Sequence, residues 1–167
     1  MLYHGSNLAV EEPAIKRGIR GLDFGDGFYL TSDIEQASKF SVTVRDRAIR
    51  LRTEPVGLPL VSVYEYDEHN AQKNLIVYAF TKPDSEWLDF IKQNRQKEYN
   101  GQFYDIVSGP VANDDVFASI RLFERGILSF ETVINELKTW VFKNQYCMKS
   151  SQALQYLSFC EAFEVRR

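Results

Sequence analysis

Residues 23–40 read DFGDGFYLTSDIEQASKF, and the fold turns on how this stretch is read. Gly25 and Gly27 stand two apart and free the backbone for a tight turn or a close approach. Phe28, Tyr29, Leu30 and Thr31 form a short aromatic and β-branched run that predicts a strand. Asp33 is a good N-cap, and Ile34, Ala37, Ser41 and Val44 follow at helical spacing, predicting a helix to about Ile49. Turn and strand would line a cleft beside the exposed N–H groups of the helix start.

Upstream, Met1 to Tyr3 predicts a strand that His4-Gly5-Ser6 ends, and Asn7 to Leu22 a loop with one short helix at most. Downstream, Arg50 to Pro59 is a loop, and Leu60 to Tyr66 alternates as a strand should. Leu75 to Phe80 is a further strand, and Asp84 caps a helix from Ser85 to about Lys97 with Trp87, Leu88 and Ile91 inward. Asp105 to Ser108 is a brief strand stopped by Gly109-Pro110. Asn113 or Asp114 caps a helix with Val116, Phe117, Ile120 and Phe123 inward, ended by Gly126. Ser129 starts another, with Phe130, Val133, Ile134, Leu137 and Val141 inward. Lys143 to Lys149 predicts a strand, Ser150 or Ser151 a last helix through about Phe159, and Val165 a closing strand residue. Strands and helices without regular alternation make the class α+β, and no repeat or long linker divides residues 1–167, so one domain is expected.

The 167 residues suffice for a proper core, and 44% hydrophobic with 26% charged is a globular composition. A net charge of -3 argues against broad non-specific nucleic-acid binding. Two cysteines, Cys147 and Cys160, are too few for a disulfide framework, and two histidines, His4 and His69, leave no paired-histidine metal site. No apolar run approaches a membrane span and the front lacks a secretion signal, so a cytoplasmic protein without membrane contact is expected.

Taken singly, the candidate functional residues have plain structural readings. Asp23-Phe24-Gly25 matches the metal-holding triplet of kinases, but their Gly-rich loop, lysine strand and catalytic loop are missing. Arg45, Arg47, Arg50 and Arg52 divide between two helix faces and read best as a solvated helix end, and Asp114-Asp115 as a helix cap. Asp105 is a fallback catalytic carboxylate whose plainer role is a strand-start turn residue.

Taken together, His4-Gly5-Ser6, Gly27-Phe28-Tyr29, Phe40 eleven residues past Tyr29, and Asn144-Gln145-Tyr146 form an ordered set. This order resembles the ADP-ribosyltransferase superfamily, on the branch with a His-Tyr-Glu type triad that includes the poly-ADP-ribose polymerases and diphtheria-like toxins. Within it, the chain is similar to a bacterial domain of unknown function often found in toxin–antitoxin-like operons. That similarity runs over most of the chain, through YDIVSGPVANDD and the final QALQYL.

The resemblance implies a split antiparallel sheet with flanking helices and an NAD site in the cleft between its halves. It implies a mono-ADP-ribosyltransferase (a glycosyltransferase) that uses NAD as co-substrate on a macromolecular acceptor, acts as a bacterial toxin with an antitoxin partner, and needs no metal. His4, Tyr29 and Gln145 would be catalytic, and Gly5, Ser6, Gly27, Phe28 and Phe40 would bind NAD. His4 would hold the adenosine ribose, Gly5 the nicotinamide amide, Tyr29 and Phe40 the nicotinamide ring, and Gln145 the nicotinamide ribose. Gln145 stands where the family commonly has glutamate, Ala37 where it often has serine, and Lys149 where the bacterial relatives tend to carry histidine. A glutamine accepts the same hydrogen bond but is no general base. The alternative is a catalytically weak or inactive NAD- or ADP-ribose-binding module.

Overall fold

The computed structural model describes residues 1–18, 21–111, 114–137 and 144–166. Its elements in order are β1 (Leu2–Ser6), β2 (Phe28–Thr31), α1 (Ile34–Leu51), β3 (Leu60–Tyr66), α2 (Glu68–Asn74), β4 (Val77–Ala79), α3 (Ser85–Gln96), β5 (Ile106–Pro110), α4 (Asp114–Glu124), α5 (Phe130–Leu137), β6 (Asn144–Met148), α6 (Ser151–Leu154) and β7 (Leu157–Glu164). The class is α+β. Expectations for Asn113, for the side chains of Asp114, Asp115, Val116, Phe117 and Leu137, and for Val141 and Lys143 lie outside the described residues.

The seven strands form one sheet in the order β4-β5-β6-β2-β1-β3-β7. Its pairings are antiparallel except β4 with β5, which run parallel, so the sheet is mixed rather than antiparallel throughout. Parallel neighbours need a long crossover, and α3 supplies it. The weakest seam lies in the middle. β1 meets β2 through a single register pair, Tyr3 with Thr31, whereas β1 meets β3 through five and β2 meets β6 through four. Two residues further along each strand the register would set Gly5 against Tyr29, and no pairing forms there. Within this one continuous sheet the ladder is therefore thinnest at the strand pair that carries His4-Gly5 and Tyr29.

The local signals hold where they are strong. Asp33 accepts from the Gln36 N–H and Asp84 from the Trp87 N–H, as N-caps should. Helix α1 runs to Leu51 and closes on Arg52, whose left-handed φ of 53° lets its N–H reach the carbonyls of Ala48 and Ile49. Its buried stripe is Ala37, Ser41 and Ala48; Ile34, expected inward, is exposed. His4-Gly5-Ser6 lies inside β1 rather than ending it, because β3 pairs with it as far as Ser6.

Both faces of the sheet are covered. Tyr29, Val107 and Cys147 meet a core of Phe24, Phe80, Trp87, Phe90 and Ile91 on one face. Phe28, Leu30, Ile106 and Met148 meet Leu2, Tyr64 and Leu157 on the other. The expected last helix is a single turn, and residues 157–164 instead form β7 on the outer edge of β3, with Phe159 against Tyr64. Pairing with the open edge of β3 outweighs the helical spacing of that segment, and Glu161 and Glu164 leave the new edge charged.

Candidate active site

This thin seam is also bridged by a side chain. His4 Nδ1 lies 2.7 Å from the main-chain oxygen of Tyr29. A carbonyl only accepts, so Nδ1 carries the proton and Nε2 of the neutral ring is left as an acceptor. Burial holds the imidazole pKa down to about 4; the Tyr29 carbonyl opposes this and the positive charge of Lys16 adds to it. Lys16 is at hand because its backbone bridges to Gly27. His4 also lies against the Phe28 ring, with centroids 4.4 Å apart.

This arrangement makes the fold sensitive to acid. Between about pH 4 and 6.5 the unfolded chain holds a proton on His4 that the folded chain refuses. Its contribution is complete above pH 6.5 and is lost as the pH falls towards 4, by up to about 3 kcal/mol. Urea unfolding of His4→Gln beside the parent chain from pH 7.5 to about 4.5 reads this directly: the gap between the two should change across that window, and a constant gap refutes it.

Strand alternation sorts the remaining candidates. Gln145 pairs with Thr31, and Cys147 with Tyr29, so all four side chains share one face. His4 is on the other, with Phe28. The structure therefore brings His4 to the backbone of Tyr29 but not to its ring or to Gln145. Phe28 is 1% exposed and supports His4 from the core rather than facing open space. Ser6 is also buried. Phe40, on α1, is 51% exposed and packs against no other ring among the described residues.

The two glycines nearest the seam serve close packing. A Cβ on Gly5 would lie 2.1 Å from the Ala37 carbonyl oxygen, so α1 can seat on β1 only over a glycine. One on Gly27 would lie 2.4 Å from Cys147 Sγ. Gly25 has φ of 81°, which the turn before β2 requires.

That turn is tied down by side chains that sequence reading did not connect. The Tyr29 hydroxyl donates to the Gly25 carbonyl at 2.6 Å and accepts from the Phe24 N–H at 3.0 Å, so it is committed to the turn. Burial pushes this phenol well above its ordinary value. Lys149 Nζ donates to the Phe24 carbonyl and, at 3.4 Å, to that of Asp26; burial lowers its pKa. Arg95 of α3 places Nε and Nη2 on Asp23 Oδ1 at 2.8 and 2.7 Å, while Glu124 lies 4.0 Å from its Nη1. Gln145, 9% exposed, donates from Nε2 to Asp23 Oδ2 at 3.3 Å.

Other candidates have structural work. Asp105 Oδ2 accepts from the Ile76 N–H, and its main chain bonds Ile76 and Lys149, so it clips β4, β5 and β6 together. It is not free for catalysis. Arg45 pairs with Asp46, and Arg47, Arg50 and Arg52 are exposed. Ser38 turns its hydroxyl back to the Ile34 carbonyl. Burial pushes the Cys147 thiol up to about 12, which removes it as a nucleophile. A depression of about 780 Å³ lies past the Leu2 end of β1, lined by Glu65, Tyr66, Asp67, Glu68, His69, Gln72 and Ser158. Glu65, Asp67 and Glu68 give it a negatively charged lining. Among the described residues no cluster of His, Cys, Asp and Glu could hold a metal ion, and no helix is long and apolar enough to cross a membrane.

Residues 1–159 match the model of a family described as "Protein of unknown function (DUF3990)". No curated protein and no solved structure matches the chain.

Proposed function

The chain belongs to the DUF3990 family, and we propose that it is a mono-ADP-ribosyltransferase that takes NAD at the β1–β2 seam. The observation that carries this reading is the neutral His4, its Nδ1 committed to the Tyr29 carbonyl where the strand ladder is open. An imidazole held this way accepts a hydroxyl through Nε2, as a ribose requires. Lys16 beside it suits a pyrophosphate. On the α1 side, the exposed Phe40 and the ring face of Tyr29 offer two stacking surfaces for nicotinamide. Gln145 Oε1 would accept from the nicotinamide-ribose hydroxyl.

In this reaction the bond between the ribose C1′ and the nicotinamide nitrogen breaks, and its electron pair leaves with nicotinamide. An acceptor nucleophile bonds C1′ and gives up its proton. The acceptor is a macromolecule, the cellular role that of a cytoplasmic bacterial toxin, and the partner an antitoxin. A neutral acceptor contributes about 0.5–1.5 kcal/mol where a charged one contributes about 1.5–3. With no second carboxylate facing it, a glutamine would therefore slow the step by about tenfold relative to a carboxylate, if the whole difference acts in the transition state.

Labelled NAD incubated with the protein and a cell lysate should transfer label and release nicotinamide. Absence of transfer, release and NAD binding together would sink the proposal. Phe40→Ala should weaken NAD binding by up to about tenfold in calorimetric titration while leaving the melting temperature unchanged, since the ring is half exposed. An unaltered affinity removes Phe40 from the site. The uncharged Gln145 favours a second reading, a module that binds NAD or ADP-ribose without turnover; binding with no nicotinamide release selects it.

A further inference from the structure

A carboxylate only accepts hydrogen bonds, whereas a primary amide has a donor end and an acceptor end. Asp23 Oδ2 therefore fixes which way Gln145 faces: Nε2 is held at 3.3 Å, and Oε1 is the end left over. Oε1 accepts no hydrogen bond among the described residues. Arg95 takes the other oxygen of Asp23, so that Oδ2 stays turned to the amide. The same contact states why residue 145 is neutral. A glutamate there would set two carboxylates within hydrogen-bond distance, and such a pair cannot both ionise.

We propose that Asp23 is a positioning residue that supplies the site's negative charge from the turn before β2, holding Gln145 so that Oε1 faces the reacting ribose. This rests on the NAD reading above. As positive charge develops at C1′, it meets the oxygen end of the Gln145 dipole with the Asp23 charge aligned behind it. A hydrogen bond at the nitrogen end polarises the amide and strengthens its oxygen as an acceptor. Charge and contact, combined in one residue when a glutamate does this work, are divided between two. Asp23-Phe24-Gly25 thereby has a part in the chemistry without any metal role.

Four full-length proteins test it: the parent, Asp23→Asn, Gln145→Glu and the double variant. Nicotinamide release from NAD is measured from about pH 5 to 9, with the melting temperature of each. Asp23→Asn should lower kcat by about tenfold with little change in KM, because an asparagine offers either end and no longer orients the glutamine. Gln145→Glu should also lose rate and gain a titration that the parent lacks, from the facing carboxylates. The double variant should recover kcat to at least the parent's level and lose that titration, since the amide introduced at position 23 then donates to the carboxylate introduced at position 145.

A double variant no better than the product of the single effects overturns the proposal. So does an unchanged pH profile in Gln145→Glu, which keeps the Asp23–Arg95 pair intact and can be read even where Asp23→Asn fails to fold. The melting temperatures separate NAD chemistry from the Asp23–Gln145 contact. A parent that neither binds nor cleaves NAD overturns the functional reading, and the role of Asp23 at the ribose with it. Additive melting shifts overturn the Asp23–Gln145 coupling itself, whatever NAD does.

Discussion

Arg95→Met is expected to destabilise the protein by about 3–5 kcal/mol, the usual consequence of removing one partner of a buried ion pair. The Arg95 and Asp23 side chains are 12% and 11% exposed, so water cannot replace the lost guanidinium. Among the described residues, Asp23 would keep the Gln145 amide as its one side-chain donor. Against a typical domain stability of about 5–15 kcal/mol, such a loss brings the chain near its unfolding threshold. Removing the stranded charge as well, in Asp23→Asn with Arg95→Met, should return part of the stability. Urea unfolding at pH 7 measures both. A loss below about 1 kcal/mol for Arg95→Met would mean that the pair behaves as a solvent-screened surface bridge.

Gly5→Ala should have an effect of similar size through packing alone. The new Cβ would sit 2.1 Å from the Ala37 carbonyl oxygen and 2.9 Å from the Ser41 nitrogen. Both are backbone atoms of α1, so no side chain can move aside and the helix itself must shift by about 1 Å to restore ordinary contact distances. Overpacking a core typically costs about 1–3 kcal/mol, and a rigid neighbour puts this case at the top of that range. For a chain of this length, that corresponds to a fall in melting temperature of about 10 °C. Because α1 also carries Phe40, the proposed NAD binding should weaken with it. A variant that melts with the parent would show that α1 does not depend on its seat over Gly5.

How much was legible from sequence depended on the range of the signal. Strand β3 was read to its observed limits because Leu60 to Tyr66 declares itself by alternation between loops. Strand β2 and the Asp33 cap of α1 were equally local. Helix α2 went unread because Glu68–Asn74 buries only Ala71, too little for an apolar stripe, although Asp67 was present as its cap. Residues 157–159 read locally as helix because nothing nearby says that β3 has an open edge to pair. The parallel pairing of β4 and β5 was hidden for the same reason. The site divides likewise: His4, Tyr29, Phe40 and Gln145 stand out as residue types in order, while the contacts of Asp23, Arg95 and Lys149 do not. Asp23 lies 72 positions from Arg95 and 122 from Gln145, and no spacing rule spans such distances.

By itself, then, the sequence determined the turn, strand and helix of residues 23–40, the α+β class, and a short ordered set of candidate residues. The elements follow from interactions within a few residues, a glycine's φ, a capping carboxylate, a period of two or of about 3.6, and the candidate set from a resemblance in the order of short motifs. Only the tertiary structure decided how those pieces meet. Closing the sheet left β1 and β2 joined at one pair, and the alternation of each strand then put His4 on one face and Gln145 on the other. The bond to the Tyr29 carbonyl selected the histidine tautomer. Packing α3 against the turn brought Arg95 to Asp23 and left its second oxygen for Gln145. Hydrogen-bond closure and packing act between segments distant in the chain, and for that reason they surface only once the fold is assembled.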